Sequence, residues 1–337
     1  MRQGCPLSPG LFSVYIEGLA ERLSEAWRGS DRERQSVGVG LCRRYRGAGE
    51  NRGGNERDDE DRKGFLDKRE LEVSVGKTKM VTFQKGRGGR RREEWRWGND
   101  VIESVGEVRY LGYIMRYNNK DDGHVKELGK RGIKILGQIW GMGERIFGSD
   151  VKRRGWLYDK LIKSVLLYGA ELWGWREWNE LERIQERYWK WVLGLERETP
   201  GYIVMEEVKG EKLRVQTGRI AMKYEEGLER GRGGVLVQCC WREVRGERIK
   251  HGQEDRRRYY ERGGYASTEV IRRRERGWGE NTREDIIERD RDTQRQERRG
   301  KIRDGRYNEK YGGIVGEGVP GYLMGGLGIK KEVDREI

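Results

Sequence analysis

The spacing of apolar residues divides the chain into stretches of different character. Leu11, Val14, Tyr15, Leu19, Leu23 and Ala26 recur at three- to four-residue steps, which predicts an amphipathic helix ending near Trp27. It is entered through a turn stiffened by Pro6 and Pro9. Arg28 to Lys63 loses that periodicity and fills with Gly, Arg, Asp and Glu, and so long a patternless stretch is out of place inside a compact domain. Order returns at Phe65. Leu71, Val73 and Val75 alternate as strand residues do, and Met80, Val81, Thr82 and Phe83 do so more loosely. Trp95, Trp97, Val101-Ile102, Val108 and Tyr110 continue a small β-rich unit with hairpin-like turns, interrupted by a basic Gly-Arg tip at Lys85 to Arg92.

From His124 to about Leu195 the period is helical. Leu157, Leu161, Val165 and Tyr168 predict one buried stripe, and Leu181, Ile184, Tyr188, Trp191 and Leu195 a second, stopped by Gly194 and the Thr199-Pro200-Gly201 turn. A third helix is expected from Glu206 to Glu229. Trp140, Trp156, Trp173, Trp175, Trp189 and Trp191 stand at helical spacing and are read as core, with base stacking as the alternative. Beyond Arg230 the chain is mostly charge, and Glu254 to Lys301 is expected to be a solvated helix or a disordered tail.

Composition sharpens this picture. Of 337 residues 34% are apolar and 39% charged, enough for one modest core rather than two. Against 58 Asp and Glu stand 72 Lys and Arg, a net charge of +14 that favours a polyanionic partner, nucleic acid foremost. No apolar run approaches the roughly 18 residues of a membrane span, so no membrane association is expected. The N-terminus lacks the apolar core of a signal peptide. Four cysteines make no disulfide scaffold and suit a reducing, intracellular setting, nucleus or cytoplasm. His124, His251 and Cys239-Cys240 have no zinc-ligand spacing.

The order Arg2-Gln3-Gly4-Cys5-Pro6-Leu7-Ser8-Pro9, followed by Leu11-Phe12 and Tyr15-Ile16, closely resembles one box of reverse transcriptases, where a Gly-Pro turn and the start of a palm helix meet template and nucleotide. Further matches follow in the order of that family. Phe65-Leu66-Asp67-Lys68, Leu71-Glu72-Val73 and Lys77-Thr78-Lys79 resemble the next palm box of LINE-type (non-LTR) retrotransposon enzymes. Tyr110-Leu111-Gly112-Tyr113 is similar to their primer-grip hairpin, and Tyr168 to Trp175 with Tyr188 to Leu195 resemble the helical thumb. The likeness covers most of Met1 to Arg230 except Arg28 to Lys63 and thins beyond, although Gly316-Glu317-Gly318-Val319-Pro320 resembles the same elements; within them the chain is most similar to the jockey-like branch.

The resemblance implies RNA-directed DNA polymerisation, in which a primer hydroxyl attacks a nucleoside triphosphate with two Mg²⁺ ions held by carboxylates. The family draws these from an Asp in a box upstream of the position that Arg2 matches, which this chain lacks, and from an Asp-Asp pair in a Tyr-Ala-Asp-Asp hairpin. That hairpin belongs between Trp27 and Phe65. Asp58-Asp59 lies there, but among Arg57, Glu60 and Asp61 and without flanking apolar strands, so it reads as a solvated charge run. The genetic code offers another source. One permitted codon set for Val39 to Glu50, read one base later, spells Leu-Ala-Tyr-Ala-Asp-Asp-Ile-Val-Val-Leu-Ala. The middle base of each shifted triplet is free, whereas the first is fixed by the visible residues.

These readings predict an α+β chain: a partial reverse-transcriptase palm (helix plus antiparallel strands), then a mainly helical thumb and a charged, largely disordered tail. Residues 1–27 form the palm turn and helix, 28–64 an aberrant, out-of-frame disordered segment, 65–123 the palm remainder and primer-grip hairpin, 124–230 the helical thumb, and 231–337 the charged extension. By resemblance Arg2, Gln3, Gly4, Pro6, Ser8, Lys77 and Lys79 contact template and nucleotide, and Tyr110, Leu111, Gly112 and Tyr113 grip the primer. Arg87, Arg90, Arg91 and Arg92 form a basic nucleic-acid-binding tip. No catalytic or metal-binding residue is assigned. The chain itself is expected to carry no cofactor, to be inactive as a polymerase and to bind RNA and DNA weakly and without sequence preference. A non-enzymatic binding remnant and a product without function remain the alternatives.

Overall fold

The computed structural model describes residues 38–41, 44–47, 68, 74–83, 95–97, 99–148, 150–234, 237–238, 241–242, 253–306, 308–314 and 316–324. The described chain is mixed α+β and mostly helical, with short strands. It divides into two units. The first takes Met1–Arg109, Arg116–Asn119 and Gly233–Cys240; the second takes Tyr110–Met115, Lys120–Arg232 and Trp241–Ile337.

In the first unit, β1 (Gly38–Leu41) and β2 (Arg44–Gly47) pair antiparallel, with Val39 opposite Arg46 and Leu41 opposite Arg44. This hairpin stands inside the segment expected to be without structure. Its period-2 signal, Val39 and Leu41, is too short to be read from the sequence. β3 (Lys79–Met80), β4 (Trp95–Trp97) and β5 (Asp100–Ser104) form a sheet in the order β3-β5-β4. β4 and β5 make the expected antiparallel hairpin, but β3 runs parallel to β5, a departure from the all-antiparallel expectation. Val75 is not in a strand. It opens a 3₁₀ turn, Val75–Lys77, closed by Lys77 N–H on the Ser74 carbonyl at 3.0 Å and by Thr78 Oγ1 on the same oxygen at 2.9 Å. β6 (Glu107–Tyr110) and β7 (Tyr113–Arg116) pair as the sequence predicts, and Tyr110–Met115 of this hairpin is assigned to the second unit.

The second unit is helical. α1 (Asp122–Phe147) buries Val125, Leu128, Leu136 and Ile139. α2 (Val151–Leu157) starts at Asp150, whose carboxylate accepts the Arg153 N–H at 2.9 Å, and runs through a π turn, Tyr158–Ile162, into α3 (Lys163–Leu166). That turn moves the buried stripe. The core positions are Tyr158, Ile162, Leu166 and Ala170, whereas Leu161 and Tyr168 of the expected stripe are exposed. A π turn adds a residue per turn, so the 3.6-residue count from Leu157 points to the wrong face downstream. After α4 (Ala170–Trp173), α5 (Asn179–Val192) buries Leu181, Ile184 and Tyr188 as expected and stops ahead of Gly194 at φ +65°. Leu195 lies past its end and is exposed. Of the six tryptophans, Trp173 is buried, Trp175, Trp189 and Trp191 are half-buried, and Trp140 and Trp156 are exposed, so the core assignment does not hold for those two.

The single helix expected from Glu206 to Glu229 is two, α6 (Gly201–Glu207) and α7 (Leu213–Glu229), broken where Lys209 turns to φ +49°. α7 has no cap of its own. Glu182 of α5 supplies one, accepting the Leu213 and Arg214 N–H groups at 3.0 Å each. Burial pushes the Glu182 carboxyl up to about 7, against the pull of those two donors.

The charged extension is not largely disordered. Gln253–Arg262 (α8), Ser267–Glu275 (α9) and Gly279–Asp304 (α10) pack on α7 around Val215, Met222, Tyr259, Tyr260, Tyr265, Val270, Ile286 and Ile287. Two short helices, Glu309–Gly312 (α11) and Gly321–Met324 (α12), follow. The few apolar residues suffice because much of the charge is paired across helices rather than solvated. Arg214 meets Asp290 at 2.7 Å, Arg274 meets Glu225 at 3.2 Å, Arg298 meets Glu206 at 3.1 Å, and Arg283 meets Glu226. No helix among the described residues is long and apolar enough to cross a membrane.

Candidate functional site

The best-defined arrangement at a sequence-assigned position is the tip of the β6–β7 hairpin. Two residues, Leu111 at φ +46° and Gly112 at φ +84°, join the strands. Positive φ at both central residues is what a type I′ turn requires, since it matches the twist of the strands. Glycine adopts it freely; leucine does so at a cost of roughly 1–2 kcal/mol. Leu111 is also 66% exposed, so burial of its own side chain does not offset that cost.

Contacts from two helical segments hold the turn. The Tyr168 hydroxyl donates to the Leu111 carbonyl. The Tyr113 ring stacks on His124 of α1, centroids 3.9 Å apart, and its hydroxyl donates to Asp121 Oδ1 at 2.6 Å. Burial, with the Asp121 carboxylate beside it, raises that phenol well above its usual range. His124 is fully buried and uses both ring nitrogens. Nδ1 accepts the Ile114 N–H at 3.4 Å, and Nε2 lies 3.2 Å from the Tyr168 carbonyl, which selects the neutral Nε2–H tautomer. The same carbonyl accepts from Trp173 Nε1 at 3.1 Å. Gly169 makes this fit possible: its φ is +74°, and a Cβ there would come within 2.9 Å of the Tyr113 ring.

These contacts hold an exposed apolar residue, Leu111, in a strained conformation, and the His124 imidazole among them is committed to structure. Replacing Tyr168 with phenylalanine removes the donor to Leu111 and should cost about 1 kcal/mol, with faster amide exchange confined to residues 110–114. Unchanged exchange at the tip would show that the ring stack alone holds it.

Comparison with family models, curated proteins and solved structures gives no match.

The other assigned residues are distributed as follows. Lys77 and Lys79 belong to the first unit and are exposed, and Lys79 Nζ sits 3.3 Å from Glu103 Oε2 in a solvated pair worth little. Arg2, Gln3, Gly4, Pro6, Ser8, Asp58-Asp59, Arg87, Arg90, Arg91 and Arg92 lie outside the described residues. The Mg²⁺ that the resemblance implies needs clustered carboxylates, and among the described residues no group of three or more His, Cys, Asp or Glu comes together to hold a metal. The described residues therefore do not fit that ion. Sequence reasoning missed His124 and Asp121. Their only signal was a lone histidine three residues after an aspartate at a helix start.

Proposed function

We propose that this chain is a C-terminal portion of a LINE-type reverse transcriptase, inactive in polymerisation, that keeps a weak affinity for RNA and DNA. One observation carries the reading. The box Arg2 to Pro9, the segments Phe65 to Lys79, Tyr110 to Tyr113 and Tyr168 to Trp175 follow one another in the family's order. The hairpin tip is consistent with a primer-contacting role, because a rigid knob held by His124, Tyr113 and Tyr168 can fix a strand end. Polymerisation is not expected, because the visible reading frame has no Asp-Asp pair between apolar strands. A non-enzymatic, basic RNA/DNA-binding remnant is the second reading, favoured by the net charge of +14.

The nucleotide sequence from codon 39 to codon 60 tests the lineage. Read one base later, it should spell Leu-Ala-Tyr-Ala-Asp-Asp and then an apolar strand; other middle bases would make Arg28 to Lys63 a genuine insertion. The purified chain should not extend a primer on an RNA template with Mg²⁺ or Mn²⁺. Its affinity for RNA and DNA should fall at least about tenfold from about 50 to about 200 mM salt, because counterion release drives such binding. Template-dependent synthesis, or affinity indifferent to salt, would overturn the respective half of the reading.

A further inference from the structure

The indole of Trp191, near the end of α5, lies over Gly143 of α1, where a Cβ would come within 2.8 Å of the ring. Trp140 stacks on it, centroids 4.7 Å apart and planes at 26°. The guanidinium carbon of Arg154, from α2, sits 5.0 Å from the Trp191 centroid. Tyr188 meets Trp191 edge-on at 5.3 Å and donates its hydroxyl to the Arg154 carbonyl at 2.5 Å, which ties α2 to α5.

Packing leaves two features of this stack unexplained. Trp140 is 45% exposed although it extends an aromatic stack. Arg154 is only 7% exposed, yet among the described residues no carboxylate pairs with it, and its Nε is buried without a hydrogen-bond partner. The other buried arginines of this unit, Arg214, Arg274, Arg283 and Arg298, all pair with carboxylates. A buried guanidinium without an anion is costly, so this one is suited to an anion from outside. An open indole face beside a guanidinium in want of an anion matches a nucleotide, which has a planar base and a phosphate.

The surroundings favour a strand over a free nucleotide. Lys126, Lys130, Ile133, Gly137 and Trp140 follow one another at four- and three-residue steps on one exposed face of α1. At 1.5 Å per residue that track is about 21 Å long, room for about three nucleotides. Resting on the reading above as a nucleic-acid-binding chain, we propose that Trp140, Trp191 and Arg154 form a base-stacking subsite for single-stranded nucleic acid. A base lies on the open side of Trp140, and a phosphate of the same strand meets Arg154.

The test uses the full chain at physiological salt. A short oligothymidylate is compared with an abasic oligomer of equal length and charge, by anisotropy and by quenching of tryptophan fluorescence. Wild type should prefer the oligothymidylate roughly tenfold. Trp140→Leu should abolish that preference while leaving the thermal unfolding curve in place, Trp140→Phe should retain part of it, and Arg154→Gln should weaken both oligomers. Equal binding of the two oligomers by wild type, or a preference that survives Trp140→Leu, overturns the subsite and leaves salt-sensitive binding standing. Thymidine monophosphate that competes at the oligomer's own concentration overturns the strand assignment. Absence of all binding overturns the subsite together with the binding reading, whereas the codon test of lineage is independent of both.

Discussion

Arg214→Met is expected to destabilise the helical unit by roughly 3–5 kcal/mol. The Arg214 side chain is 4% exposed and divides its guanidinium between two carboxylates, Glu177 at 2.6 Å and Asp290 at 2.7 Å. Burial disfavours its charge, but Asp290 and Glu177 outweigh burial and hold its pKa above the usual value. Methionine preserves the apolar stem and leaves Asp290, itself 3% exposed, without its cation. The loss of a partner decides the outcome, not the loss of an ion pair as such: a buried pair exchanged whole for apolar residues can be neutral. Arg214→Met combined with Asp290→Leu should therefore recover most of the stability. The check is chemical denaturation at neutral pH of the two single variants and the double. A single-variant loss below about 1 kcal/mol would mean that water reaches Asp290 and the helices α7 and α10 are looser than described. Glu177 adds a pH signature. Burial raises its carboxyl, but Lys212 and Arg214 overcome this and bring it below its ordinary value of 4.5. Its contribution is therefore complete above that value and is lost as pH falls through the lowered one.

The second large effect is steric. Gly174 closes α4 where that helix meets α7, and Thr217 Oγ1 donates to its carbonyl at 3.1 Å. A Cβ at Gly174 would come within 2.8 Å of the Thr217 carbonyl carbon, and closer still to the carbonyl oxygens of Ala170 and Thr217. These are backbone atoms, so no rotamer change relieves the clash. Gly174→Ala should cost at least about 3 kcal/mol, at the upper end of overpacking effects. Gly137→Ala is the control. Gly137 sits on the exposed face of α1 with nothing within 4 Å of an added Cβ, and alanine there should stabilise by up to about 1 kcal/mol. Similar melting temperatures for the two variants would show that α4 can move away from α7.

How much of this was legible depends on what each signal counts. The hairpin from Glu107 to Arg116 was readable because Val108 and Tyr110 alternate and Leu111-Gly112 is a two-residue connection. The α5 stripe was readable because nothing interrupts a 3.6-residue period from Leu181 to Tyr188. The extension was misread because composition cannot distinguish a solvated arginine from one that meets a carboxylate in the interior, as Arg298 meets Glu206 ninety-two positions away. The break at Lys209 carried a local signal, Gly210, that the helical period was read through, and the partners of Lys209, Glu206 and the Gly316 carbonyl, include one far along the chain. At the hairpin tip the tyrosines could be named but not their partners. That Tyr168 serves Leu111, 57 positions earlier, is a fact of three dimensions.

The π turn at Tyr158–Ile162 also bears on how this helix tolerates changes in length. An ordinary α-helix that loses one residue swings everything downstream by about 100°, because each residue accounts for that much rotation. Here the surplus is already present. The chain from Tyr158 to Ile162 makes one wide turn where an α-helix would use fewer residues, so one residue there is in excess. Dropping an exposed one, Asp159 or Lys160, would let the turn tighten to α geometry with Arg154 and Leu157 above it and Leu166 below it still facing the same core. The wide turn is thus a place where this helix can lose one residue without turning its two halves away from each other's face.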